Sequence, residues 1–137
     1  MSKETKIYVD GSYTTNNPKV TGWGWITEDG THEDNGALIG DIVSMRQIGG
    51  EIKASMQAVA WARSMDYTRI VILYDYEGVA KWANGEWKAK KKWTKEYAKW
   101  IQDQRSKGYD IVFEKCDAAD NPADALAREI TGAKDSH

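Results

Sequence analysis

The beginning of the chain contains short segments in which hydrophobic and polar residues alternate, and this alternation is typical of half-buried β-strands. Such segments lie at residues 6–10 and 23–26, and a third ends at Ile39. Turn-forming residues at 14–18 and 28–31 separate them. The pattern therefore predicts three consecutive strands arranged as an antiparallel meander.

The spacing of hydrophobic residues then changes to that of a helix. Over residues 48–65, Ile52, Val59 and Ala62 belong to a stripe that recurs every three or four positions. A continuous hydrophobic run at 69–74 is typical of a central strand that is covered on both faces. The remaining pattern predicts helices at 77–82 and 94–107, the latter with Thr94 as its N-cap, a strand at 109–113 and a helix at 120–129.

This order of elements, β-β-β-α-β-α-α-β-α, predicts the class of fold. It implies an α/β domain built on a five-stranded mixed sheet that is flanked by helices. The chain has 137 residues, of which 41% are hydrophobic and 29% are charged, and this size suits one domain with a single core. We expect that domain to span residues 1–131 and residues 132–137 to form a short tail.

Composition limits the cellular locations that we expect for the protein and the ligands that a metal site in it can have. No hydrophobic run approaches the roughly 20 residues of a membrane span, and the first residues lack the apolar stretch of a secretory signal. We therefore expect a cytoplasmic protein and, from its size, a monomer. Cys116 is the single cysteine, and the two histidines are His32 and His137. These counts exclude internal disulfides and the usual zinc spacings, so oxygen atoms must hold any metal.

Charge is distributed unevenly along the chain. The formal net charge is −2, but residues 81–99 contain seven lysines and two glutamates, a local balance of +5 that leaves −7 for the remainder. Tryptophans lie among these lysines, and aromatic rings among cations can stack on bases or sugars while the cations follow phosphates. A solvated protein face explains such a charge run equally well, so both explanations stay open.

Four acidic residues stand where strands end or helices begin. Asp10 ends the first strand and Asp75 follows the hydrophobic run at 69–74. Glu51 and Asp124 lie in the first turns of two predicted helices. If the two strands are parallel neighbours, Asp10 and Asp75 emerge at the same edge of the sheet. One acid at such a position is usually only solvated, but the four together indicate a cluster.

A cluster of carboxylates is stabilised when cations bind to it. The carboxylates repel one another and raise their own pKa values unless positive charge intervenes, and Mg²⁺ is a hard ion that prefers oxygen ligands. Two such ions about 4 Å apart can activate a water and stabilise the leaving oxygen of a phosphodiester. Gly11 and Ser12 follow Asp10, and such small residues let a ligand approach the backbone.

Five sequence motifs, in this order, resemble those of the type 1 ribonuclease H family over essentially the whole chain. They lie at residues 8–13, at 17–18 with 22–25, at 50–62, at 74–89 and at 123–127. The fourth motif is especially similar to the bacterial branch related to the viroplasmin-type enzymes. Together the five motifs make the resemblance specific, although one alone would be weak.

The resemblance implies the ribonuclease H fold and a metal-dependent endonuclease. Such an enzyme hydrolyses the RNA strand of RNA–DNA hybrids with two Mg²⁺ ions, or Mn²⁺ in their place, and leaves 5′-phosphate and 3′-hydroxyl ends. The resemblance implies that four residues both bind the metal ions and take part in catalysis: Asp10, Glu51, Asp75 and Asp124.

The resemblance also indicates contacts with the nucleic acid. In the family, the turn before the glutamate helix helps to recognise the RNA 2′-hydroxyl. Here that turn offers Gln47 for a polar contact and Arg46 for a phosphate, although an ordinary exposed pair would look the same. The other predicted contacts are Gly11, Ser12 and Asn17 near the first strand, with Trp87, Lys88, Lys90, Lys91 and Lys92 for the DNA strand.

The sequence departs from the family in one loop. Many relatives carry a histidine between the last strand and the last helix, where it is thought to assist proton transfer or product release, but residues 115–120 contain none. We expect slower turnover, or assistance from solvent or from another group such as Asp117 or Asp120. We expect His32 and His137 to be surface residues, because neither matches the family's position.

Two other functions remain open at this point. A metal-dependent 3′–5′ exonuclease also groups acids at strand ends. A non-catalytic hybrid-binding module would explain the missing histidine, although the presence of all four acids argues against it.

Overall fold

Residues 3–14 and 20–132 are described in the computed structural model of the chain. They form a five-stranded sheet with the strand order β3-β2-β1-β4-β5. The strands are β1 (Glu4–Thr14), β2 (Val20–Thr27), β3 (Glu33–Leu38), β4 (Arg69–Tyr74) and β5 (Asp110–Lys115). Strand β2 pairs antiparallel with both β1 and β3, whereas β4 pairs parallel with both β1 and β5. The predicted five-stranded mixed sheet is therefore confirmed.

In the described part of the chain, four α-helices flank this sheet. They are α1 (Gln47–Ser64), α2 (Gly78–Ala83), α3 (Lys92–Ser106) and α4 (Ala123–Thr131). Short 3₁₀ turns at Asp41–Met45 and Ala118–Asp120 precede α1 and α4, and hydrophobic spacing gives no signal for them. Among the described residues, no helix is both long and apolar enough to cross a membrane.

The hydrophobic core lies largely between α1 and the sheet. Ile7 of β1 and Ile72 of β4 are completely buried there, together with Ala58 and Val59 of α1. Burying one aliphatic side chain of this size contributes roughly 1.5–3 kcal/mol relative to leaving it exposed. The core thus fixes α1 on β1 and β4, the strands that carry two of the predicted acids.

Helices α1 and α4 cover opposite faces of the sheet. The ring of Trp25 in β2 lies 5.1 Å from that of Trp61 in α1, measured between ring centroids. By contrast, a Cβ atom on the preceding residue, Gly24, would lie 2.8 Å from the Leu126 Cβ of α4. Because neighbouring residues of a strand point to opposite faces, the sheet is the middle layer between the two helices.

Several predicted element boundaries are wrong. Helix α4 begins at Ala123 and not at residue 120, and β2 begins at Val20 and not at residue 23. Strand β1 does not end at Asp10 but continues to Thr14, because the later residues keep pairing with β2. Helix α3 begins at Lys92, and Thr94 is its third residue instead of its N-cap. The Thr94 hydroxyl accepts a 3.2 Å hydrogen bond from the backbone N–H of Lys91, so it still stabilises the start of the helix.

Candidate active site

The strand register brings two of the predicted acids to one edge of the sheet. The parallel pairing of β1 with β4 ends at Tyr8 and Leu73, and two residues further along each chain segment lie Asp10 and Asp75. Asp10 is still within β1, opposite Gly24 of β2, whereas Asp75 directly follows the end of β4. Both acids therefore lie just beyond the last parallel pair of β1 and β4, the side of the sheet where open α/β folds bind their ligands.

Two glycines allow the helix that carries Glu51 to reach the same edge. A Cβ atom on Gly11 would lie 2.2 Å from the Gln47 carbonyl oxygen, and one on Gly50 would lie 2.3 Å from the Gly22 carbonyl oxygen. Both distances are far below van der Waals contact, so only glycine lets α1 sit this close to β1 and β2. The first turn of α1 then holds Glu51 beside Asp10 and Asp75.

Three carboxylates converge at this edge into a cluster. Asp10, Glu51 and Asp75 each offer one oxygen, and these oxygens all lie within 4.8 Å of one another. Asp10 and Glu51 are buried, with only 6% and 5% of their surface exposed. The Oε2 atom of Glu51 is buried without a hydrogen-bond partner. A buried acceptor of this kind is costly unless a cation or a ligand satisfies it.

Burial and mutual repulsion shift the titration of the cluster. Burial, reinforced by the charge of Asp75, raises the pKa of Asp10 to about 7. Burial, followed by the charges of Asp10 and Asp75, raises the pKa of Glu51 to about 10. A divalent cation would favour the ionised carboxylates instead. Because every donor is a carboxylate oxygen, the cluster fits a hard divalent cation.

Asp124 lies in the same cleft but outside this cluster. It is the second residue of α4, and it lines a cleft of about 610 Å³ together with the three clustered acids. The Asp124 carboxylate forms an ion pair with Arg128, one helical turn later, with 2.9 Å between Oδ2 and Nε. The structure therefore gathers three of the four predicted acids closely enough to share a cation and leaves the fourth beside an arginine.

Sequence reasoning missed one polar residue of the site, Asn121. This residue is buried, and its amide nitrogen donates 2.9 Å hydrogen bonds to Asp75 Oδ2 and to the Val9 carbonyl oxygen. Its Oδ1 accepts a 3.0 Å hydrogen bond from the backbone N–H of Ala123. An asparagine before a proline at the start of a helix is the usual signal of a helix cap, and that signal conceals the second role.

The turn before α1 contains a strained residue, Arg46. It adopts φ 56° and ψ −139°, a backbone conformation that residues other than glycine rarely adopt. The Arg46 side chain is exposed. Gln47 is also exposed and lines the cleft that holds Glu51. Gln47 is thus in a position to contact a ligand in the cleft, as its predicted role requires.

The contacts that were predicted near the first strand have different environments. Gly11 lines the cleft, but its missing side chain makes room for α1, and this packing explains the glycine without any ligand. Ser12 is buried, and its hydroxyl shares a 2.8 Å hydrogen bond with that of Thr131 in α4. The structure therefore does not support Ser12 as a contact for nucleic acid. Asn17 lies outside the described residues.

Part of the lysine-rich segment forms a groove beside the acidic cleft. Lys88, Lys90 and Lys91, between α2 and α3, are exposed and line a groove of about 230 Å³. Ile48 and Tyr76 line both this groove and the cleft of the acids. The positively charged groove, called the basic groove below, therefore adjoins the carboxylate cluster.

Trp87 and Lys92 make contacts within the protein. The half-buried Trp87 packs edge-on against Trp82 and Tyr76, with ring centroids 5.8 Å and 6.5 Å away. The Lys92 ammonium lies 4.6 Å from the centroid of the Trp93 ring. These packing contacts explain both residues without a nucleic acid, and their predicted contacts with a DNA strand stay predictions.

No histidine lines the cleft in the described part of the chain. Asp117 and Asp120 are exposed, and neither borders the cleft. The exposed His32 packs against the ring of Trp61 at a tilt of 40°, with 5.0 Å between ring centroids. His137 lies outside the described residues. Assistance from Asp117 or Asp120 would thus require the loop to change its conformation.

Comparison with known proteins finds relatives of this fold among solved structures. No protein-family model and no curated protein matches the chain. The ribonuclease H1 of the halophilic archaeon Halobacterium salinarum is 22% identical, with a TM-score of 0.79 over 94% of this chain and 98% of that chain.

Two further structures are similar to the chain. LC11-RNase H1 in complex with an RNA/DNA hybrid is 21% identical, with a TM-score of 0.76 over 92% of this chain and 95% of that chain. The N-terminal RNase H domain of a Mycobacterium tuberculosis protein is 21% identical, with a TM-score of 0.71 over 93% of this chain and 94% of that chain. The chain therefore has the ribonuclease H fold, as its sequence motifs had led us to expect.

Proposed function

We propose that this protein is a type 1 ribonuclease H, an endonuclease that hydrolyses the RNA strand of RNA–DNA hybrids. The observation that carries the proposal is the cluster of Asp10, Glu51 and Asp75 just beyond the parallel pairing of β1 with β4. The same fold in LC11-RNase H1, solved in complex with an RNA/DNA hybrid, supports the choice of substrate. The similarity of residues 74–89 to the bacterial, viroplasmin-type branch stays a prediction.

The metal that fits this site is Mg²⁺, with Mn²⁺ as a substitute. When bound, two such ions would supply the Lewis acidity for hydrolysis of a phosphodiester to 5′-phosphate and 3′-hydroxyl ends. Asp10, Glu51 and Asp75 would hold the first ion, since their oxygens already converge. Asp124 would help to hold the second, which requires its carboxylate to release at least part of its ion pair with Arg128.

The chain's own residues would bind the two strands on either side of this cluster. We assign the RNA strand to the cleft, where Gln47 is exposed beside Glu51 and can donate or accept a hydrogen bond at a 2′-hydroxyl. We assign the DNA strand to the basic groove, where Lys88, Lys90 and Lys91 present positive charge to phosphates. The groove adjoins the cleft at Tyr76, so one duplex could occupy both.

An assay with four substrates tests the proposal. The protein is incubated with Mg²⁺ and an end-labelled RNA–DNA hybrid, and single-stranded RNA, duplex RNA and duplex DNA of the same sequence serve as controls. We expect internal cuts that are restricted to the RNA of the hybrid. Stepwise shortening from one end would instead favour a 3′–5′ exonuclease, and binding of the hybrid without cleavage would favour a non-catalytic binding module.

We also propose that the protein is a cytoplasmic monomer whose catalytic domain spans residues 1–131. These proposals rest on chain size, on composition and on the span of the sequence motifs. Sedimentation equilibrium would test the monomer, because a molecular mass well above 15.5 kDa would contradict it.

A further inference from the structure

Asn121 connects three parts of the site with one side chain. It lies between the 3₁₀ turn that follows β5 and the first residue of α4, and it is 5% exposed. Its amide nitrogen donates to Asp75 Oδ2 and to the carbonyl oxygen of Val9, which directly precedes Asp10. Its Oδ1 accepts from the N–H of Ala123. All three heavy-atom distances are between 2.9 and 3.0 Å.

These partners determine the orientation of the amide. The backbone N–H of Ala123 requires an acceptor, so the amide oxygen must point toward α4. The amide nitrogen must then point toward the sheet, where the Val9 carbonyl oxygen and the Asp75 carboxylate are both acceptors. The side chain therefore cannot turn over without breaking all three hydrogen bonds, and Asn121 is buried, so water cannot readily replace them.

The hydrogen bond to Asp75 restrains the least buried acid of the cluster. Asp75 is half-buried, and a carboxylate outside the end of a strand can otherwise turn about its side-chain bonds. The backbone of Asn121 also accepts a 3.2 Å hydrogen bond from the N–H of Asp124. One residue thus connects Asp75, the segment next to Asp10 and the turn that carries Asp124.

We propose that Asn121 is a positioning residue that holds Asp75 in its cation-binding arrangement and couples α4 to the carboxylate cluster. It acts through Asp75 and does not touch the substrate. Groups that hydrogen-bond to metal ligands usually change metal affinity by about 10–100-fold when they are removed. The inference rests on the proposed function, because it assumes that the cluster binds a divalent cation.

Two substitutions separate positioning from simple stability. Asn121→Ser keeps a hydroxyl that can cap α4, but its side chain is too short to reach Asp75. Asn35→Ala is the matched control, because Asn35 also donates two hydrogen bonds onto α4, to the Leu126 carbonyl oxygen (2.8 Å) and to Glu129 Oε2 (3.0 Å). Asn35 does not line the cleft of the acids. Asn35→Ala loses two hydrogen bonds to α4 and keeps the contact with Asp75. Asn121→Ser keeps a cap for α4 and loses the hydrogen bonds to Asp75 and Val9.

Mn²⁺ binding to the free protein, measured by isothermal titration calorimetry, is the first readout. We expect Asn121→Ser to weaken the Kd for Mn²⁺ at least about 10-fold, and Asn35→Ala to change it less than about two-fold while lowering the Tm. An unchanged Kd in a folded Asn121→Ser protein would overturn the inference. A wild-type protein that binds no Mn²⁺ would overturn it as well.

Nuclear magnetic resonance of the wild-type protein provides a readout that needs no variant. We expect the side-chain amide signals of Asn121 to shift when Mg²⁺ is added, and those of Asn35 to stay in place. Saturation with Mg²⁺ that leaves the Asn121 signals unmoved would contradict the inference, even if Asn121→Ser fails to fold.

The outcomes also distinguish this inference from the proposed function. A wild-type protein that binds Mn²⁺ but leaves RNA–DNA hybrids intact would refute the ribonuclease activity, while the effect of Asn121→Ser on the Kd would still support positioning. A wild-type protein that cleaves hybrids, combined with a normal Kd in Asn121→Ser, would refute positioning alone.

Discussion

At the scale of single residues, the site combines burial with like charge. Asp10 and Glu51 are almost completely buried, and their oxygens lie within 4.8 Å of each other and of an oxygen of Asp75. Without a cation, this arrangement raises the pKa of Asp10 to about 7 and that of Glu51 to about 10. Without a cation, the cluster therefore destabilises the folded protein electrostatically, and cation binding removes this penalty. The penalty should be measurable as a lower free energy of unfolding of the metal-free protein.

The sign of that effect follows from the pKa values of the two states. In the unfolded chain Asp10 has a pKa near 3.8, so it ionises on unfolding at any pH between this value and its folded pKa of about 7. The penalty of ionising Asp10 in the folded protein therefore grows as the pH rises through this window, and the free energy of unfolding of the metal-free protein falls. Replacing Asp10 by asparagine removes the ionisable group and with it the penalty.

We therefore expect Asp10→Asn to stabilise the metal-free protein in a pH-dependent manner. In the presence of a chelator, its Tm should be close to that of the wild type at pH 4 and higher at pH 7, by roughly 4 °C for each kcal/mol of penalty removed. Thermal unfolding followed by circular dichroism would measure the difference. Asp103→Asn, on the exposed face of α3, is the control. A difference in Tm that stays constant from pH 4 to pH 7 would contradict the electrostatic origin.

Residue-scale prediction from the sequence was uneven for physical reasons. Asp10 and Asp75 could be predicted as site residues because each follows a strongly hydrophobic strand segment. Asn121 could not, because its hydrogen bonds to Val9 and Asp75 join positions 112 and 46 residues apart in the sequence. Neither contact leaves a local pattern.

At the scale of elements, the site depends on how closely α1 approaches the sheet. The backbone of Gly11 lies directly under the first turn of this helix, and a Cβ atom there would lie 2.5 Å from the Glu51 backbone nitrogen. Atoms of the backbone cannot move aside as a flexible side chain can. The position of Glu51 is thus determined by the absence of a side chain in β1.

Gly11→Ala should therefore displace the start of α1. We expect a loss of stability of about 1–3 kcal/mol, as for other overpacked sites, and a weaker affinity for Mn²⁺ because Glu51 moves away from Asp10. Chemical denaturation and calorimetry would measure the two effects. Gly85→Ala is the matched control, since Gly85 has a positive φ of 76° but open space around it. It should lose stability through backbone strain and keep its affinity for Mn²⁺. Equal affinity in both variants would show that the close approach of α1 does not matter for the site.

The boundaries of elements were the least predictable feature of the fold. The hydrophobic run at Arg69–Tyr74 predicted β4 correctly, because the strand is buried along most of its length. By contrast, β1 continues beyond Asp10 with residues that pair only with β2. This extension is determined by the partner strand, and the sequence around Asp10 does not reveal it.

At the scale of the whole molecule, positive charge is concentrated beside the acidic cleft. The net charge of −2 conceals the balance of +5 over residues 81–99, and the fold places Lys88, Lys90 and Lys91 of this segment along a groove that adjoins the cleft. The sequence predicted the charge asymmetry, but it could not predict which lysines share a surface. Which lysines line the groove depends on where α3 begins. Lys92 belongs to this helix, and its ammonium lies over the Trp93 ring.

Neutralising the basic groove should weaken hybrid binding in a salt-dependent manner. We expect the triple substitution of Lys88, Lys90 and Lys91 by alanine to lower the affinity and to reduce the slope of log K against log salt concentration by about 0.9 for each phosphate contact that is lost. Fluorescence anisotropy with a labelled hybrid at several salt concentrations, under conditions that prevent cleavage, would measure this slope. Lys107→Ala, an exposed position at the other end of α3 and outside the groove, should leave the slope nearly unchanged. An unchanged slope in the triple variant would show that the basic groove does not contact the phosphates of the hybrid.

Asp75→Asn tests whether the three clustered carboxylates catalyse cleavage of the RNA strand. This substitution keeps the shape of the side chain, and the remaining amide oxygen can still accept the hydrogen bond from Asn121. The measurement is the single-turnover rate of cleavage of an end-labelled RNA–DNA hybrid in Mg²⁺, with Asp103→Asn as the control. We expect a rate reduced at least about 100-fold in a protein whose circular dichroism matches the wild type, and a normal rate in the control. Full activity of a folded Asp75→Asn protein would show that this cluster does not catalyse the cleavage.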